Sequence, residues 1–207
     1  MSDITVESCK VVLLGESGVG KTSIITMFMD NEFTEDQQTT TGATFSTKSL
    51  TYDKYHKEIS FEIWDTAGQE KYRSLAKMFY KDATIAILVY DITRYDSFEQ
   101  LRDFWVGQLK DNAPKNLILA IAANKSDLIG EEKVDEGEAR KFADSIGAIF
   151  RLTSAKQQNG VEDLFRDVGT KFLDPSYDGA REKRKSVNTQ KIEEPIQKAP
   201  VKKKGCC

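Results

Sequence analysis

The residues Gly15-Glu16-Ser17-Gly18-Val19-Gly20-Lys21-Thr22 satisfy the pattern G-x-x-x-x-G-K-[ST] without a mismatch. Each part of that pattern has its own mechanical reason. Glycines let successive backbone N–H groups turn inward around an anion, with no Cβ in the way. The N-terminus of a following helix adds partial positive charge. Lys21 is placed to reach the outer phosphates of a nucleotide, and the Thr22 hydroxyl is placed to ligate Mg²⁺.

Three more segments could do chemistry with it. Trp64-Asp65-Thr66-Ala67-Gly68-Gln69-Glu70 supplies Asp65, a carboxylate suited to Mg²⁺ through water. It also supplies Gly68, whose N–H can approach a terminal phosphate, and Gln69, which can orient an attacking water. Asn124-Lys125-Ser126-Asp127 offers an acceptor-only carboxylate at Asp127. Guanine presents two adjacent donors, and adenine has no such pair. A site built on that pairing rejects the wrong base by roughly 10⁴–10⁵. Lys125 can lay its stem along the base face. Thr153-Ser154-Ala155-Lys156 can offer the Ala155 N–H to the guanine carbonyl, with Lys156 packing nearby.

These segments need elements to hold them. Strands are expected at Lys10–Leu14, Phe45–Tyr52, Glu58–Trp64, Thr84–Tyr90, Leu117–Ala123 and Ala148–Leu152. Thr84–Tyr90 and Leu117–Ala123 are continuous apolar runs, as in strands buried on both faces. Glu58–Trp64 alternates, as in a strand with one wet face, and the polar stretch before it suggests an edge hairpin. His56, the only histidine, falls in that turn and carries no assigned role. Helices are expected at Lys21–Met29, Lys71–Tyr80, Ser97–Asn112, Asp135–Ile146 and Gly160–Leu173. Ser97 with Gln100 reads as a capping box, Asp135 is placed to cap the next helix with Glu138 three residues on, and Gly147 is placed to end it. Alternating strands and helices argue for an α/β fold, and with the phosphate-loop pattern the expected class is a P-loop NTPase-type domain. It would have six mostly parallel strands and helices on both faces. Ligands in such sheets gather at the carboxyl ends of the strands.

The chain of 207 residues divides into an expected domain over 1–178 and a polar tail over 179–207. The tail carries nine Lys/Arg and three Asp/Glu, a net +6, so the first 178 residues hold −9 of the overall −3. An acidic body argues against nucleic-acid binding, while a basic tail suits an anionic surface. Low apolar content makes the tail an expected disordered segment. No secretory signal or membrane span is visible, and three cysteines make no disulfide framework. A reducing, cytoplasmic compartment is the expectation.

Taken together, these motifs resemble the Ras superfamily of small GTPases, from about Cys9 to Leu173. Trp64–Leu75, Phe79-Tyr80, Tyr90-Asp91-Ile92-Thr93 and the terminal Cys206-Cys207 look like the Rab branch. Thr39–Phe45 looks most like its endosomal members. The resemblance implies a G domain that binds GTP or GDP through Ser17, Gly18, Val19, Gly20, Lys21, Thr22 and Ser23. Further nucleotide contacts would come from Phe33, Thr40, Gly68, Asn124, Lys125, Asp127, Ser154, Ala155 and Lys156. It implies Mg²⁺ held at Thr22, Thr40 and Asp65, and Gln69 as the catalytic residue. Thr40 would meet Mg²⁺ and the γ-phosphate only in the GTP state, so that hydrolysis releases two switch segments. Phe45, Trp64 and Phe79 would face effectors. An exchange factor, an activating protein, prenylation and escort proteins and a GDI-type protein are the other implied partners. Cys206 and Cys207 would carry prenyl chains beside Lys202–Lys204, since two signals anchor where one holds only marginally. The implied location is the cytoplasmic face of endosomal, Golgi or vesicle membranes.

Three positions depart from the family pattern: Thr41, where an apolar residue is usual, Lys77 and Phe79. No segment reads as an arginine supplied in cis, which would be worth about 10³–10⁵ in rate. Slow intrinsic hydrolysis is therefore expected. A GTP-binding scaffold with negligible turnover is the alternative, and Gln69 with Thr40 weigh against it. Asn124–Asp127 weighs against a phosphate-loop kinase or ATPase.

Overall fold

The computed structural model describes residues 4–35, 37, 40, 42–66 and 73–179. Within them the elements run β1 (Thr5–Leu14), α1 (Lys21–Asp30), β2 (Thr44–Tyr52), β3 (Lys57–Asp65), α2 (Arg73–Tyr80) and β4 (Ile85–Asp91). They continue through α3 (Tyr95–Gln100), α4 (Val106–Asn112), β5 (Ile118–Asn124), α5 (Glu136–Ser145), β6 (Ile149–Leu152) and α6 (Val161–Leu173). The six strands form one sheet in the order β2-β3-β1-β4-β5-β6. Only the β2–β3 pair is antiparallel, with Phe45 opposite Trp64; the other four pairs are parallel. The turn between β2 and β3 carries a 3₁₀ turn at Asp53–Tyr55 and places His56 at φ 51°. The expected hairpin and mostly parallel sheet are both present.

Strand alternation sends side chains to two cores. Val11, Leu13, Ile59, Phe61, Ile63, Ile87 and Val89 share one face with α1 and α6. On that face Phe28 of α1 stacks on Phe165 of α6, with ring centroids 3.7 Å apart and planes 8° apart. Phe61 meets both rings edge-on. Val12, Leu14, Ala86, Leu88 and Tyr90 share the other face with Phe98, Trp105, Leu109 and Ala143. All seven residues of β4 are buried, as its apolar run requires.

Some expectations needed correction. β1 begins five residues before Lys10, because Thr5–Ser8 pair with Lys57–Ser60 despite being mostly polar and exposed. Ser97 is not a helix cap. The helix starts at Tyr95, and the buried Ser97 hydroxyl instead donates to Arg94 O at 2.7 Å and accepts from Asp91 N–H at 3.1 Å. The expected helix Ser97–Asn112 is broken by a π-type segment, Leu101–Trp105, where Val106 N–H reaches back five residues to Leu101 O. Asp135 does cap α5, accepting from Glu138 N–H at 2.8 Å, and Gly147 follows that helix at φ 68°. Lys71, the tail from residue 180, Thr41, Gly68, Gln69, Cys206 and Cys207 lie outside the described residues.

Candidate functional site

A cavity of about 410 Å³ opens where β1, β5 and their following loops meet. Ser17, Gly18, Gly20, Lys21, Thr22, Ser23, Phe33, Thr40, Asn124, Lys125, Asp127, Ala155 and Lys156 line it. One short loop and one helix start therefore face residues more than a hundred positions downstream. Parallel strands bring most of them together, because the loops after β1, β5 and the edge strand β6 leave from the same carboxyl end of the sheet, while Phe33 and Thr40 come from the segment between α1 and β2.

Side chains hold the phosphate loop by its carbonyls. Lys21, only 6% exposed, donates from Nζ to Gly15 O at 2.9 Å and to Glu16 O at 2.8 Å. Burial draws its ammonium down to about 8, against the opposing pull of the Asp65 and Glu16 carboxylates. Asn124 Nδ2 donates to Val19 O at 2.8 Å, and Thr153 Oγ1 donates to Asn124 Oδ1 at 3.2 Å. Gly20 must be glycine: its φ is 93°, and a Cβ there would collide with Asn124 Nδ2. Gly15, at φ 145°, would collide with Val89 O.

At one end of the cavity three oxygens cluster. Thr22 Oγ1 donates to Asp65 Oδ2 at 2.6 Å and lies 2.7 Å from Thr40 Oγ1. Asp65 is 2% exposed, and its Oδ1 is buried with no hydrogen-bond partner among the described residues. Burial pushes its carboxyl up, while the Thr22 hydroxyl and Lys21 hold it down. An orphaned carboxylate oxygen beside two hydroxyls fits a hard cation that keeps several waters and takes its remaining ligands from phosphates. Among the described residues no cluster of three His, Cys, Asp or Glu exists. A dedicated protein cage is thus absent from those residues, and Mg²⁺ does not require one.

At the other end Ser154 Oγ donates to Asp127 Oδ1 at 2.5 Å and accepts from Gln157 N–H at 3.0 Å. The serine is fully buried and outside the cavity lining, so it reaches the site through Asp127. Lys125 takes a left-handed φ of 64°, and its Nζ lies 2.6 Å from Asp91 Oδ2. With its charge anchored below, its stem is free to lie along a planar base. Val19 is likewise buried behind the loop rather than lining it.

Several contributors escaped the motifs. Thr34, Glu35, Gln37 and Leu128 also line the cavity. Ser23 Oγ donates to Gln37 Oε1 at 2.9 Å, and Lys156 Nζ lies 2.6 Å from Glu35 Oε1, across the mouth. Asp91, placed by the end of β4, stood in the Tyr90–Thr93 run without an assigned role. Charged residues near the motifs were visible in the chain, but no spacing rule pairs residues so far apart.

Away from the cavity, Phe45, Trp64 and Phe79 form a continuous aromatic surface strip. Centroids are 5.1 Å apart for Phe45–Trp64 and 5.6 Å for Trp64–Phe79. Phe45 is 53% exposed and Met78 is 70% exposed, next to an exposed Lys77. Trp64 and Phe79 are half-buried, and Phe79 packs against the core beneath, so Phe45 is the open end of the strip.

Comparison with known proteins agrees with this arrangement. The model of the Ras family matches residues 10–174. Ras-related protein Rab-31 of Homo sapiens is 41% identical, over 99% of this chain and 100% of its own. Ras-related protein Rab-22A of Homo sapiens is 45% identical over 82% of this chain and 84% of its own, and that of Canis lupus familiaris matches equally. A motif set in the right order, a sheet that brings it to one cavity and relatives matched along nearly the whole chain lead to one conclusion: the chain belongs to the Ras family, in its Rab branch, and is a small GTPase of vesicle trafficking.

Proposed function

We propose that GTP or GDP occupies this cavity with its guanine at Asp127 and its outer phosphates at Lys21. Mg²⁺ would sit at Thr22, Thr40 and, through water, Asp65. Bound there, the ion would neutralise charge shared by the two outer phosphates. The observation that carries this reading is the distribution of chemistry within one cavity. An oriented carboxylate lines one end, and at the other the lining hydroxyls of Thr22 and Thr40 meet the buried Asp65 carboxylate, which is not itself part of the lining. Val19, Gly20 and Ser23 support the phosphate cradle, Phe33 and Lys125 flank the base, and Ala155 with Lys156 close it. Ser154 acts by aiming Asp127. Asn124 ties the base loop to the phosphate loop.

Thr40 reaches the Thr22–Asp65 oxygen cluster from a segment that also contributes Phe33 and Gln37 to the cavity. A ligand at that cluster therefore orders the whole segment, and its loss frees it. Gly68 and Gln69 complete the proposed site as the γ-phosphate contact and the residue that orients water. The aromatic strip of Phe45, Trp64 and Phe79 supports effector docking in the GTP state. Exchange factor, activating protein, escort and GDI-type proteins are the proposed regulators. Among the described residues no helix is long and apolar enough to cross a membrane. Attachment would come from prenyl chains on Cys206 and Cys207, on the cytoplasmic face of endosomal or Golgi membranes. Domain 1–178 would carry the switch and 179–207 the address.

The test is competition for fluorescent GDP. GTP and GDP should displace it, ATP should not, and EDTA should accelerate its release. Displacement by ATP at concentrations similar to GTP would overturn the guanine assignment.

A further inference from the structure

We propose that Arg94 is a positioning residue for the phosphate cradle: it holds the Ser17–Gly18 peptide so that the Gly18 N–H faces the bound nucleotide. The proposal rests on the reading that a guanine nucleotide fills the cavity.

In a trans peptide the C=O of one residue and the N–H of the next point in opposite directions. A carbonyl tied away from the cavity therefore turns the following N–H into it. Lys21 ties Gly15 O and Glu16 O, and Asn124 ties Val19 O. Arg94 completes the set, donating from Nη1 to Ser17 O at 3.0 Å across 77 positions of sequence. A Cβ built on Gly18 would lie 3.8 Å from that same nitrogen, so the guanidinium packs against the back of the loop.

Arg94 is itself fixed. Its Nη2 lies 2.8 Å from Asp96 Oδ2. Its backbone N–H donates to Asp91 O at 3.0 Å, and its carbonyl accepts from Ser97 Oγ at 2.7 Å. Asp91 in turn anchors Lys125 of the base loop. The turn after β4 thus braces both ends of the cavity. A planar guanidinium suits the task, because it donates in two directions at once to the carbonyl and the carboxylate. Arg94 does not line the cavity, so its effect passes through the loop.

The experiment compares wild type, Arg94→Ala and Arg94→Lys, all loaded with GDP. Arg94→Ala is expected to speed GDP dissociation by about threefold to tenfold, the range of one lost charge-assisted hydrogen bond in a part-exposed setting. It should also move the ³¹P resonance of the β-phosphate of bound GDP, while GDP remains favoured over IDP by the wild-type ratio. Arg94→Lys should recover part of the rate and less of the resonance position. An unchanged rate and resonance in Arg94→Ala would overturn the proposal. So would faster release with an equal loss of GDP-over-IDP preference, since that marks general loosening. Wild type that binds neither GDP nor GTP would instead overturn the reading of the cavity itself.

Discussion

Replacing Asn124 by Ala removes a side chain that links the phosphate loop to the loop after β6. Two buried groups lose their partner: Val19 O, bonded at 2.8 Å, and the Thr153 hydroxyl, bonded at 3.2 Å. Val19 and Thr153 are both fully buried, so water cannot substitute freely. An orphaned buried polar group costs about 1–3 kcal/mol, and taking about 1.5 kcal/mol for each gives about 3 kcal/mol in all. The two halves fall on different observables. The Val19 half lets the Val19–Gly20 peptide turn, which weakens nucleotide binding by about tenfold at 1.36 kcal/mol per decade. The Thr153 half destabilises the fold by about 1.5 kcal/mol whether or not nucleotide is bound. A double variant, Asn124→Ala with Thr153→Val, should therefore regain stability but not affinity. Stopped-flow release of fluorescent GDP reads the first quantity, and urea unfolding reads the second. GDP affinity within about threefold of wild type, or restoration of affinity by the added Thr153→Val, would refute the reasoning.

Further expectations concern the core, a thiol and the chemical step. Phe165→Ala empties a fully buried site between Phe28 and Phe61 and should cost about 3–5 kcal/mol, a large part of a domain's typical 5–15 kcal/mol. A loss below about 1 kcal/mol in urea unfolding would contradict the packing described. Burial first, and the Glu62 charge second, push the Cys9 thiol up to about 12. In a Cys206→Ser/Cys207→Ser variant, Cys9 is the one cysteine left. It should resist a thiol reagent at pH 8 when folded and react once when unfolded. Because the folded value lies above the unfolded one of about 8.5, its contribution is intact below that pH and shrinks as pH rises towards 12. A thiol that labels rapidly in the folded protein would contradict the burial. Gln69→Leu should slow single-turnover GTP hydrolysis by about tenfold or more while GTP affinity stays within a few-fold, the signature of a group that acts on the attacking water. Equal loss of binding and turnover would assign Gln69 to structure instead.

Sequence patterns served best where one local cause dominates. The apolar runs of β4 and β5 could be read because burial on both faces demands continuous apolar residues. The phosphate loop could be read because its glycines answer first to local backbone geometry, with φ of 76° at Gly18 and 93° at Gly20. The first half of β1 could not: Thr5–Ser8 owe their strand conformation to pairing with β3, and nothing in their own composition signals it. Ser97 misled for a related reason. It has the chemistry of a cap, but tertiary packing spends its hydroxyl on the turn after β4. The π-type turn at Leu101–Trp105 leaves no periodic trace in so short a segment. Around the cavity, Asp127 and Thr22 belonged to patterns with a chemical role, whereas Arg94, Asp91 (read only for family likeness) and Glu35 had none assigned. Their partners stand 77, 34 and 121 positions away, and only the assembled sheet selects them.

The strand order has a consequence for how this chain comes to exist. β1 is synthesised first yet lies at the middle of the sheet, flanked by β3 and β4. Val12 pairs with Trp64 on one side and Ala86 on the other. During translation the phosphate loop leaves the ribosome early, but its outer carbonyl anchors at Arg94 and Asn124 emerge much later. Long-range closure of this kind is slow and leaves unpaired strands open while it waits. No nascent chain shorter than residue 124 can hold the loop at all of these carbonyls, and none shorter than about residue 156 can close the base end. Nucleotide capture is therefore a late step of biosynthesis, and a prematurely terminated chain is left with exposed strands and no ligand to stabilise them.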